Sequence, residues 1–332
     1  MLVRLSIKFR ILFIVLLFIT GCNATPPSEP IGNPVGNPVG NPVAGSQEFT
    51  LAEARYGHAA VNDGDKIYVF GGTTNDGFSG DIEIIDPQTK KSQLLKNKLI
   101  PRRYFSAVWD GKESVYIIGG MSLEGRRPYL QSAVEVFNTR TQEVTQAPSH
   151  TRATRMNTAV YSDDKIYVFG GTTAGAGLRK GLKHVAWVSV YDTKTQQWTE
   201  SDDMPLAFAT EAVVYKNAIY LAGGFNGRKQ FDTFYEFTPA SSQWRELTPL
   251  PVETSAHSMT IINNNLYTFG NYDEMEQTLR YNFDTGHWSN ANLPLAPRRH
   301  TASTTLGNDI YVIGGTEGRS GLFIDSVQIF TF

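Results

Sequence analysis

A short apolar strand that runs into glycine occurs six times in this chain, and no other feature restricts the fold as strongly. The copies are Ile67-Tyr68-Val69-Phe70-Gly71-Gly72, Val115-Tyr116-Ile117-Ile118-Gly119-Gly120, Ile166-Tyr167-Val168-Phe169-Gly170-Gly171, Ile219-Tyr220-Leu221-Ala222-Gly223-Gly224, Leu266-Tyr267-Thr268-Phe269-Gly270-Asn271 and Ile310-Tyr311-Val312-Ile313-Gly314-Gly315. Successive first glycines are 44 to 53 residues apart. Recurrence at that period marks a repeat architecture, in which each unit buries its apolar faces against its neighbours.

Each copy sits in the same frame. A small-residue strand precedes it, as in His58-Ala59-Ala60-Val61, and an alternating strand follows a variable loop, as in Val134-Glu135-Val136-Phe137. A polar turn such as Asp192-Thr193-Lys194-Thr195 then leads to a fourth strand, which holds Trp198, Trp244 and Trp288 in three copies. Leu94 or Leu95 and Val144 stand near that place in the first two. Four short strands per period predict an all-β, six-bladed β-propeller with four antiparallel strands per blade. The chain ends after the third strand of blade six, and Gln47-Glu48-Phe49-Thr50 matches the fourth-strand segment Gln142-Glu143-Val144-Thr145. The N-terminal strand is therefore expected to complete the last blade and pair its open edge.

The glycine pairs, the Tyr before them and the later Trp resemble the kelch-repeat family over about residues 47–332. Asn271 departs from the pattern by replacing a second glycine.

The segment before the repeats is of a different kind. Arg4, Lys8 and Arg10 precede an apolar run, Ile11 to Ile19, which is shorter than the roughly 20 residues of a membrane-spanning helix. Ile19-Thr20-Gly21-Cys22 resembles a bacterial lipobox, which implies a signal peptide over 1–21 and lipidation of Cys22. It is the only cysteine of the chain, so no internal disulfide or cysteine-based metal site is expected. Residues 22–46 carry Gly-Asn-Pro-Val three times, and that composition predicts a flexible tether from a lipid anchor. Asn23 after the lipidated residue implies, by resemblance to lipoproteins of this kind, a bacterial envelope location at the outer membrane facing the periplasm or exposed on the surface. With 30 Lys+Arg against 32 Asp+Glu, the chain carries a net charge of −2 and lacks the basic excess of a nucleic-acid binder.

The kelch resemblance implies that ligands meet one face of the ring, built from the loop entering each innermost strand and the loop after each glycine pair. Entry loops here hold Arg55, Arg102-Arg103, Arg155 and Arg298-Arg299, with Ala207 and Thr254 at the matching places in blades four and five. Post-glycine loops hold Arg126-Arg127, Arg179-Lys180, Arg228-Lys229 and Arg319. Arg55, Arg103, Arg155, Arg298, Arg127 and Arg319 are thus the expected ligand-binding set, opening on a common anion-binding cavity. The competing reading is that these arginines belong to the repeat and pair with loop carboxylates such as Asp76, Glu124, Asp273, Glu274 and Glu317. His58, His257 and His300 stand near the entry ends of three innermost strands, without metal-ligand spacing.

Two functions follow. The first is a monomeric, membrane-anchored binding protein for an acidic sugar or a protein partner, using no cofactor and no metal. The second is an isomerase, since the blade number and export resemble the sialic acid mutarotases (N-acetylneuraminate epimerases). That family places its catalytic Glu directly after a strand glycine. Here those positions hold Gly or Asn271, and Glu211 with Arg228 is the substitute catalytic pair. Glu211 stands where innermost strands otherwise show small residues such as Ala59, Ala107 and Ala302.

Overall fold

A computed structural model describes residues 47–174, 181–318 and 321–332. The described residues form six four-stranded antiparallel sheets and no helix. Blade one runs from the inside outward as Ala59–Asn62, Ile67–Phe70, Ile82–Asp86 and Lys91–Leu95. Blade six takes Ala302–Leu306, Asp309–Ile313 and Ser326–Thr331 from the chain end and Gln47–Thr50 from the beginning. Gln47 pairs with Ile329 and Thr50 with Ser326, so the expected closure by the N-terminal strand is present. The innermost strands of neighbouring blades pack in cyclic order, which closes the six into a ring.

The core lies between blades. Tyr68 and Phe70 of blade one pack with Val115, Ile117 and Phe137 of blade two, while Ile67 and Val69 pack with Tyr311, Ile313 and Val327 of blade six. Successive side chains on a strand point to opposite faces, so a strand sandwiched between two blades needs apolar residues at both parities. That is why the second strand reads Ile-Tyr-Val-Phe rather than alternating. The expected tryptophans occupy fourth strands, where the indoles of Trp198 and Trp288 donate to the Pro148 and Thr248 carbonyls of the preceding blade's exit loop. The tryptophan register corresponds to Ser92 in blade one, rather than Leu94 or Leu95, and to Val144 in blade two, as expected.

Glycine pairs join each blade to the next. The amides of Gly72, Gly120, Gly171, Gly224 and Gly315 donate to the carbonyls of Arg102, Thr154, Phe208, Thr254 and Arg55, at 2.7–3.1 Å. The approach leaves no room for a side chain. A Cβ on Gly270 would sit 2.3 Å from the Arg298 oxygen of the next blade, and one on Gly171 would sit 2.5 Å from the Arg155 oxygen of its own blade's entry segment. Gly171→Ala, at φ 85°, should therefore destabilise the protein by about 3 kcal/mol, through the clash plus left-handed backbone strain. Gly307→Ala shares a positive φ of 61° with nothing within 4 Å and should cost about 1 kcal/mol. Urea denaturation of both variants measures the difference.

Candidate functional site

On the face of the ring that carries the glycine pairs lies a cavity of about 910 Å³. Every blade contributes its entry segment to the wall, and the loops after the glycines form the rim. In four blades a two-residue bridge pins the entry segment to the post-glycine strand: Tyr56 to Thr73, Arg103 to Met121, Arg155 to Thr172 and Arg299 to Thr316. Blade five replaces part of this bridge. Asn271 accepts the Ser255 N–H with its own Oδ1 at 3.2 Å, so the departure from Gly-Gly keeps the entry segment fixed by a side chain.

The arginines divide into two classes according to register. Arg103, Arg155 and Arg299 line the cavity. Arg103 donates to the Tyr56 hydroxyl at 2.8 Å and lies over the Phe78 and Tyr104 rings. Arg155 reaches Thr172 Oγ1 at 3.2 Å, and Arg299 donates to the Tyr272 and Gly318 carbonyls at 3.1 Å while its guanidinium sits 4.1 Å from the Tyr272 ring centroid. None of the three is paired with a carboxylate among the described residues. Neutral partners orient these guanidiniums without neutralising them.

Arg55 and Arg298 do not open on the cavity, contrary to the sequence expectation. Both are fully buried and, like Arg102, bind main-chain carbonyls within the ring. Arg55 Nη1 donates to Gly71 O, Arg102 Nη1 to Gly119 O and Ala133 O, and Arg298 Nη1 to Val312 O and Ser326 O. Arg102 also pairs with the buried Glu135, and Arg55 lies 3.7 Å from the buried Glu83. These positions immediately precede Tyr56, Arg103 and Arg299, and a one-residue step in extended chain turns the side chain to the other side. For the first arginine of each doublet, the structural reading is the correct one. Arg102 is held by the third-strand Glu135 and main-chain carbonyls, Arg298 by main-chain carbonyls and the Ser326 hydroxyl, and Arg55 lies 3.7 Å from both Glu83 and Glu53 of its own entry segment.

Arg127 is exposed at the start of the hairpin strand Arg127–Leu130 and does not line the cavity. Arg319 and Cys22 lie outside the described residues. Arg228 and Lys229 stand on the rim. Arg299 was absent from the expected set, and the signal was already present in the entry-segment doublets Arg102-Arg103 and Arg298-Arg299, whose second arginine faces the cavity.

Glu211 lines the cavity wall. It pairs with Ala222, at the level where other blades place Ala59, Ser106, Thr158, Ser258 and Ala302, so Ser106 rather than Ala107 is its counterpart in blade two. The carbonyl that matches Arg102 in blade four belongs to Phe208, not Ala207. Desolvation pushes the Glu211 carboxyl up to about 8. Glu211 and Arg228 line the same cavity, with no ion pair or hydrogen bond between them among the described residues. His58, His257 and His300 converge on the same cavity, and burial lowers them to about 3, 4 and 4, leaving all three uncharged at neutral pH. Rings of Tyr56, Tyr104 and Tyr272 surround His300.

Two measurements test this division. Arg102→Ala strands the buried Glu135 carboxylate and should destabilise the protein by about 3–5 kcal/mol, whereas Arg103→Ala should cost under about 1 kcal/mol in urea denaturation. The folded chain holds the Glu211 proton up to about pH 8, while the unfolded chain releases it near the ordinary value of 4.5. Stability from this group thus falls as pH rises from 4.5 to 8. Glu211→Gln should remove that slope, by at most about 1.4 kcal/mol per pH unit, so that its melting temperature exceeds the parent's by a margin that widens up to pH 8.

The sequence matches the family model described as the KLHDC2/KLHL20/DRC7 Kelch-repeats domain over residues 46–207 and again over 157–332. It is 26% identical over 246 residues to spermatocyte protein spe-26 of Caenorhabditis elegans, covering 72% of this chain and 42% of that protein. It is 26% identical over 242 residues to the kelch-like protein terF of Aspergillus terreus, covering 66% of this chain and 51% of that protein. With beta-scruin of Limulus polyphemus the identity is 24% over 258 residues, 70% of this chain and 27% of that protein. The chain thus spans about a quarter to a half of the length of these curated relatives. Six strand–glycine repeats, a ring of four-stranded blades and a family model that matches the whole propeller agree that the chain belongs to the kelch-repeat family.

Proposed function

We propose that this chain is an envelope-anchored binding protein whose cavity face receives an anionic segment of a protein partner. Kelch propellers generally serve as scaffolds for protein–protein interaction, which supports a protein partner over a free acidic sugar. One observation carries the charge of the partner: Arg103, Arg155 and Arg299 project into one cavity, each oriented by neutral atoms. Arg228 and Lys229 add cations at the rim, against the carboxyls of Glu211, Glu253 and Asp273. At neutral pH Glu211 is protonated, so positive charge prevails in the cavity. The aromatic rings among the guanidiniums supply the residue types that dominate binding hot spots.

The full-length chain in detergent should bind acetyl-Asp-Asp-Asp-amide, followed by isothermal titration. Arg155→Ala and Arg299→Ala should each weaken binding about tenfold or more, and Arg127→Ala should leave it unchanged. Binding of glucuronate in place of the peptide would redirect the reading to acidic sugars. The membrane anchor rests on the lipobox: an alkyne palmitate fed to cells should label the chain, and Cys22→Ala should abolish the label.

A sugar mutarotase is the second reading, favoured by a cavity carboxyl poised near pH 8, as acid–base catalysis needs. NMR exchange between the anomers of an acidic sugar, accelerated by the parent chain and not by Glu211→Gln, would establish it.

A further inference from the structure

Five blades each lend one residue in the left-handed conformation to the cavity wall: Gly57, Tyr104, Met156, Ala256 and His300, at φ 52–59°. Their main chains are linked across the blades. The Met156 N–H donates to Tyr104 O at 2.8 Å, Tyr104 to Gly57 at 2.7 Å, Gly57 to His300 at 3.3 Å and His300 to Ala256 at 2.7 Å. The result is a belt of main-chain hydrogen bonds around the cavity, and it explains why four side-chain-bearing residues tolerate a strained backbone.

Blade four interrupts the belt because it is one residue short. Phe208 O accepts the Gly171 amide as Arg102 O accepts the Gly72 amide, which aligns the two entry segments at one end. Glu211 pairs with Ala222 as Ser106 pairs with Ile118, which aligns them at the other. Five residues, Arg102 to Ser106, thus correspond to four, Phe208 to Glu211, and no residue from 208 to 211 has a positive φ. The two ends of the belt, the Met156 carbonyl and the Ala256 amide, belong to residues that line the cavity, and among the described residues neither has a hydrogen-bond partner.

The missing belt residue would have given its N–H to Met156 and its C=O to Ala256. Those two groups flank one Cα, so what fits the break is an aminoacyl unit, –NH–CHR–CO–. We propose that one residue of an acidic peptide segment completes the belt at blade four, donating its N–H to the Met156 carbonyl and accepting the Ala256 N–H on its carbonyl. Arg155, next to Met156, receives the carboxylate of that residue or of its neighbour. The inference rests on the anion-binding reading above and specifies the main chain of the partner that it requires.

The test compares acetyl-Asp-Asp-Asp-amide with the same peptide N-methylated at all three aspartates, which keeps the charge and removes the aspartyl N–H donors. The parent chain should bind the N-methylated peptide about tenfold more weakly, one hydrogen bond's worth. Insertion of a glycine between Ala209 and Thr210 completes the belt and should abolish that preference. Amide hydrogen exchange of the parent gives an answer that does not depend on the insertion folding: the Ala256 N–H should exchange fast alone and slow with saturating unmethylated peptide. Equal affinities together with unchanged Ala256 exchange would overturn the belt subsite and leave the anion site standing. Absence of binding by either peptide would overturn the anion site and the subsite with it.

Discussion

The ring is held together by main-chain contact at the glycine pairs. At five of the six junctions an amide of the second glycine reaches a carbonyl at the start of the next blade's entry segment, and at four of these the first glycine passes so close to such a carbonyl that no Cβ fits. Both glycines sit at positive φ in those blades, which an L side chain resists. This contact fixes the height at which each entry segment crosses the channel. The bridge after the glycines, such as Arg103 to Met121, then fixes which way the next side chain points. Cavity chemistry thus depends on a contact that involves no cavity side chain.

Two functions of arginine follow from that placement. Arginine at the first position of the entry segment faces into the blade and is buried against main-chain carbonyls, with the third-strand acid Glu135 beside Arg102 and Glu83 near Arg55. The next position faces the cavity and finds hydroxyls and aromatic rings, so its charge stays available to a ligand. Blades two and six carry arginine at both positions. Blade one has Arg55 then Tyr56, blade three has Thr154 then Arg155, and blade five has Thr254 then Ser255. The cations are therefore unevenly spread around the channel, on blades two, three and six.

Most of the fold was legible beforehand. The strand–glycine repeat, the four-strand frame and the matched segments at 47–50 and 142–145 imply a closed ring of six, because each carries its own local signal. The site was legible only in part. Arg103 and Arg155 were identifiable as cavity residues, whereas Arg55 and Arg298 were not distinguishable from them by residue type. Arg102 and Arg103 differ here only by a one-residue offset from the contact with Gly72, 30 positions away in the chain. The one-residue shortening of blade four was equally hidden, since its neighbours Ala209 and Thr210 look like ordinary entry-loop residues.

By itself the sequence determined the number of blades, the apolar character of both faces of every second strand, and the position of the closing strand. These are local patterns repeated at a fixed period, and a residue's neighbours in the chain suffice to set them. Only the tertiary structure decided which of two adjacent arginines is buried, that the Glu211 carboxyl stands in a desolvated wall, and that the main-chain belt opens at blade four. Each of those is decided by contacts between different blades, where a displacement of one residue exchanges a buried position for an open one.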